Sequence, residues 1–80
     1  MTEKEVLRIA SVFMDGRDLK GYIYSLHNPG HYKDNPELWK IVVYLADSDG
    51  AIFGGPAFIT IDDITGTVLH YGQTRYVKDA

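Results

Sequence analysis

Three histidines, two aspartate-rich steps and a Gly-Gly-Pro sequence are the residues here whose types could do chemistry. His27 and His31 flank Asn28-Pro29-Gly30, and His70 stands far along the chain. A zinc centre needs three or four converging nitrogen, sulfur or carboxylate ligands, and no cysteine is present to help. The histidines therefore read as half-exposed strand and loop residues, and no metal is expected. Asp47-Ser48-Asp49-Gly50 begins like a calcium loop, which places oxygens at alternate positions. Ala51-Ile52-Phe53-Gly54 then supplies no carboxylate where the bidentate ligand belongs, so this stretch reads as a plain turn. Asp62-Asp63 resembles an acid–base pair, but adjacent strand residues point to opposite faces. An aspartate entering a hairpin caps the turn instead, by accepting from backbone N–H groups. Gly54-Gly55 runs into Pro56 and lacks the strand–loop–helix setting of a phosphate cradle. Ser11, Ser25 and Ser48 belong to no nucleophile motif, and a thiol enzyme is excluded. The chain reads as a non-enzyme without cofactors.

The elements that must position these residues follow from periodicity. Thr2-Glu3-Lys4-Glu5 has capping-box spacing. Val6, Ile9, Ala10 and Phe13 then recur at helical intervals, with Leu7 and Met14 widening the stripe. Gly16 is expected as the left-handed residue past the helix end. Gly21 to His27 reads as a strand, with Tyr22, Tyr24 and Leu26 on one face, ended by Asn28-Pro29-Gly30. His31 to Leu38 is polar and reads as a loop. Trp39 to Ala46 reads as a strand whose Trp39, Ile41, Val43 and Leu45 face the core. Gly54-Gly55-Pro56 reads as the corner into a final hairpin. Within it, Ile59 and Ile61 pair with Tyr71 and Leu69, and Gly66 takes the left-handed position of the turn. Residues 74–80 read as a short further strand or a frayed tail. Every strand connection is too short for a crossover helix, so the sheet should be antiparallel. The expected architecture is α+β, a single domain over residues 1–80, with one N-terminal helix packed on a four-stranded antiparallel sheet (α-β-β-β-β).

Composition narrows the function classes without choosing among them. Eighty residues bury only about 60 % of the surface that the unfolded chain exposes, so stability should be marginal. An apolar content of 45 % still suffices for a packed core. The net charge of −3 and the scattered lysines and arginines exclude the clustered basic face of a nucleic-acid binder. Met1-Thr2-Glu3-Lys4-Glu5 lacks the layout of a signal peptide, and no apolar run approaches a membrane span. A cytoplasmic protein with neither nucleic-acid nor membrane partners is expected.

Gly54-Gly55-Pro56 followed by Ile61-Asp62, then Thr65-Gly66-Thr67-Val68 and Gly72, resembles the YrhB-like, immunity-protein-35 family of small bacterial proteins. Val6 to Met14, Trp39 to Leu45 and Gly54 to Gly72 match its pattern in order, so the resemblance covers most of the chain. Two departures stand out. Ala57-Phe58 lengthens the strand between Pro56 and Asp62, and Asp63 occupies a position where that family tends to carry lysine.

The resemblance implies a non-enzymatic immunity protein that binds and occludes a co-produced toxin, and an acidic balance suits a basic toxin. Gly55, Pro56, Asp62 and Gly66 are then structural. Partner-binding residues are expected on loops: Tyr32, Asp34 and Glu37 on the long polar segment, and Asp47 and Asp49 on the turn. Tyr32 would be the aromatic anchor among carboxylates. Alternatives are a PepSY- or cystatin-like module that regulates peptidases, or a small phage-encoded protein inhibitor. With Val42, Tyr44, Tyr22 and Tyr24 turned outward, a homodimer through the open sheet face is a further expectation.

Overall fold

Thr2 starts the helix through the capping box that its spacing predicts. Its Oγ1 accepts from the Glu5 N–H at 3.2 Å, while its own N–H donates to Glu5 Oε1 at 3.0 Å. The helix, α1, is Glu3–Asp15, and the strands are β1 (Ile23–Tyr32), β2 (Asn35–Ala46), β3 (Ile52–Asp62) and β4 (Val68–Gly72). These come from a computed structural model that describes residues 1–74; the expected tail lies, from residue 75 on, outside the described residues. The strands form one antiparallel sheet in the order β1-β2-β3-β4, and α1 covers one face of it. The α-β-β-β-β architecture is the one the sequence predicts.

The core lies between α1 and that face. Val6, Ala10 and Met14 of α1 meet Trp39, Ile41 and Val43 of β2 and Ala57, Ile59 and Ile61 of β3. Fully burying an isoleucine such as Ile41 or Ile59 contributes about 1.5–3 kcal/mol, which makes the two central strands the main source of stability. Leu45, Tyr24, Leu26 and Tyr71 pack around this cluster, partly buried.

Several local expectations are corrected. Gly16 is right-handed (φ −82°), because its N–H still makes an ordinary helical bond to the Val12 carbonyl and only the next bond, Arg17 N–H to the Met14 carbonyl, tightens to three-residue spacing. Left-handed backbone comes later, at Lys20 (φ 54°) and Gly21 (φ 89°). Residues 31–38 are not a loop. β1 runs on through Asn28-Pro29-Gly30 as a bulge, and Lys33-Asp34 alone turn the chain from Tyr32 to Asn35. Proline is tolerated at both places. Pro29 is on the edge strand, and Pro36 lies before Leu38, where the β2–β3 pairing begins. Gly54-Gly55-Pro56 is not an entry corner but a bulge within β3, lying between the pairs Leu45↔Phe53 and Val43↔Ala57. The left-handed demand there falls on Gly54 (φ 69°), and a Cβ on Gly55 would meet open space. In the last hairpin Ile59 pairs with Tyr71 as predicted, but Ile61 pairs with Val68. The register shift between them turns Leu69 out to solvent, 41 % exposed.

Candidate functional site

The five expected partner-binding residues do not form one surface. Tyr32, Asp34 and Glu37 lie at the β1–β2 turn, whereas Asp47 and Asp49 lie at the β2–β3 turn, at the other end of the twelve-residue β2. At about 3.3 Å per strand residue these ends stand far apart, and the long axis of the molecule is 39 Å. Tyr32 is buried, with its hydroxyl 2.8 Å from Thr60 Oγ1 and Lys40 Nζ 5.6 Å from its ring centroid. It is a packing residue of the helix-free face. Asp47 holds its own turn, Oδ1 accepting from Asp49 N–H (2.9 Å) and Ala51 N–H (3.0 Å), while Asp49, Asp34 and Glu37 are exposed.

Of the residues assigned to structure, Asp62 and Gly66 shape the β3–β4 turn. Asp62 Oδ1 accepts from Ile64 N–H (2.8 Å) and Thr65 N–H (2.9 Å), and these two donors hold its carboxyl below the ordinary range. Gly66 is left-handed (φ 72°) and its N–H closes the turn on the Asp62 carbonyl at 2.9 Å. Asp63 does not share a site with Asp62. It accepts from the Trp39 indole N–H, the main cause of its lowered pKa, and its backbone N–H reaches the Glu37 carbonyl at 2.8 Å.

Among the histidines, His27 Nε2 lies 2.9 Å from Ser25 Oγ, and its ring meets Tyr44 edge-on at 5.2 Å. Both side chains stand exposed on the strand, so the contact is a surface pair. No cluster of three metal-ligating side chains occurs among the described residues.

Two surfaces were not legible in the sequence, because each gathers residues far apart along the chain. One is apolar. Ile23 faces Ala46 across β1–β2, and Ala46 faces Ile52 across β2–β3, on the helix-free face. Ile23 and Ile52 are 64 and 56 % exposed, and the Asp47–Gly50 turn borders them. The other is a cleft of about 460 Å³ between the C-terminal end of α1 and the sheet. The segment after α1 forms its rim. There Lys20 N–H donates to Asp18 Oδ1 at 3.0 Å, and Tyr22 N–H to the Leu19 carbonyl at 3.0 Å. Tyr22 stacks on Phe53, with centroids 4.4 Å apart and rings 21° from parallel. The Arg17 guanidinium lies 4.5 Å from the Tyr71 centroid and 5.4 Å from that of Phe13. Leu19 and Leu45 supply apolar lining. The one sequence signal for this cleft was an Arg-Asp-Leu-Lys step between a helix and an aromatic strand.

No helix among the described residues is long and apolar enough to cross a membrane. Compared with protein-family models, with curated proteins and with solved structures, the chain matches none.

Proposed function

We propose that this domain acts by binding another protein and occluding it, as a cytoplasmic immunity-type protein that neutralises a co-produced bacterial toxin. The observation that carries the reading is the apolar row Ile23–Ala46–Ile52 on the helix-free face, bordered by the Asp47–Gly50 turn. Ile23 and Ile52, each more than half exposed on the helix-free face at one end of the sheet with Ala46 between them, have the make-up of an interface centre, and a polar border excludes water around it. Asp49 on that border and the net charge of −3 suit a basic partner and speed encounter with it. The resemblance of the hairpin to the YrhB-like family supports the same reading. Partner contact is assigned to the Ile23/Ile52/Asp49 end rather than to Tyr32.

The test is co-expression with the product of any large reading frame that lies immediately upstream, comparing the wild-type chain with an Ile23→Ser/Ile52→Ser variant. Both positions are exposed, so the fold should persist. Loss of two apolar anchors should weaken binding by about 2 kcal/mol or more, roughly thirtyfold. Equal affinity in the folded variant, or no complex with the wild type, would remove the reading.

A further inference from the structure

The cleft at the end of α1 has a chemistry that the partner-binding surface does not use. We propose that it is a binding site for a small planar aromatic carboxylate, with the ring against the Tyr22–Phe53 stack and the carboxylate on Arg17.

Size, wall and charge each point to that class. A volume of about 460 Å³ falls within the roughly 300–1,000 Å³ of small-molecule sites. The Tyr22–Phe53 pair offers aromatic surface to a further ring, and Leu19 and Leu45 make the adjoining lining apolar. A saturated chain would use the leucines but not the stack.

The charge is the more selective feature. Arg17 and Lys20 line the cleft against a single carboxylate, Asp18, on a protein whose net charge is negative. Asp18 Oδ1 already accepts from the Lys20 backbone N–H and fixes the rim, rather than pairing with either cation. Among the described residues, no side-chain carboxylate lies within ion-pair distance of Arg17 or Lys20. Arg17 is held in place by the Tyr71 and Phe13 rings, so little freedom is lost when its N–H donors meet a ligand. A guanidinium in that state binds a carboxylate through two parallel hydrogen bonds. A neutral aromatic would forgo this contact, and an aromatic amine would be repelled. The inference rests on the cleft alone and does not depend on the toxin reading.

Amide NMR titration of the full chain tests it, with phenylacetate and naphthoate as probes. Saturable shifts should be confined to Arg17 through Tyr22, Leu45, Phe53 and Tyr71. Phenylacetamide lacks the charge and cyclohexylacetate lacks the ring, and each should bind about tenfold more weakly, the size of one charge-assisted hydrogen bond or one stacking contact. Arg17→Gln should lower phenylacetate affinity by a similar factor while leaving the circular dichroism spectrum unchanged. Lys20→Gln should do so less strongly and serves if the first variant does not fold. The proposal is overturned by no saturable shift up to about 10 mM, weaker than even a fragment should bind. Phenylacetamide binding as tightly as phenylacetate, or shifts centred elsewhere, would overturn it equally.

Discussion

Replacing Tyr32 by phenylalanine would strip the fully buried Thr60 hydroxyl of its 2.8 Å partner. An unsatisfied buried hydroxyl costs about 1–3 kcal/mol, whereas removing both partners together is close to neutral. Urea unfolding should therefore rank Tyr32→Phe below the wild type and the Tyr32→Phe/Thr60→Val double variant above the single one. A double variant no better than Tyr32→Phe would mean that the Tyr32 hydroxyl matters for something other than Thr60. The same residue shows where reading from sequence stops. Residues 31–38 are polar and rich in turn formers, so Tyr32 reads as an anchor on a loop. Burial comes from the two-residue turn at Lys33-Asp34, which turns β1 directly into β2, and no local pattern encodes that. Trp39 and Asp63 make the complementary case. The tryptophan was legible as core, but its N–H donor and the aspartate that accepts it are 24 positions apart.

At the level of elements, the β3–β4 turn carries a pH dependence of known sign. Asp62 titrates in the folded chain below its ordinary 3.8, because the Thr65 and Ile64 N–H groups favour the carboxylate. A depressed folded pKa adds stability above the unfolded value, and that stability is lost as pH falls through the folded one. Asp62→Ala should thus be less stable than the wild type at pH 7, with the gap closing below about pH 4. Denaturation across that range measures it, and a gap of constant size down to pH 2 would refute the assignment. This turn was legible because Asp62, Thr65 and Gly66 act within five residues of one another. The helix start at Thr2 and Glu5 and the inward set Trp39, Ile41 and Val43 were legible for the same reason. Bulges were not. Whether Leu69 or Val68 faces Ile61 depends on the partner strand, as does the placing of Gly54 rather than Gly55 in the left-handed region. The cleft draws on the segment after α1, β2, β3 and β4 together, and single-element patterns carry none of that.

For the molecule as a whole, the two ends of the sheet are built differently. The end with Tyr32, Asp62 and Asp63 is tied together by hydrogen bonds between turns, including Asp63 N–H to the Glu37 carbonyl. The other end holds the exposed apolar row and the cleft, one on each face of the sheet, so both proposed contacts fall there. The strand order β1-β2-β3-β4 has a consequence beyond the static fold. Each strand pairs only with its neighbour in sequence, so no pairing waits for a distant segment, and every step closes a short loop. Loop-closure entropy grows only slowly with length, by about 0.6 kcal/mol per doubling, and here it starts small. Hairpins can then add one to the next without undoing earlier ones, and only the docking of α1 joins distant parts. Such a chain should refold as a single exponential on the order of milliseconds, toward the fast side for a sheet protein. Stopped-flow tryptophan fluorescence would follow this directly, because Trp39 sits where the β1–β2 and β2–β3 pairings meet the helix.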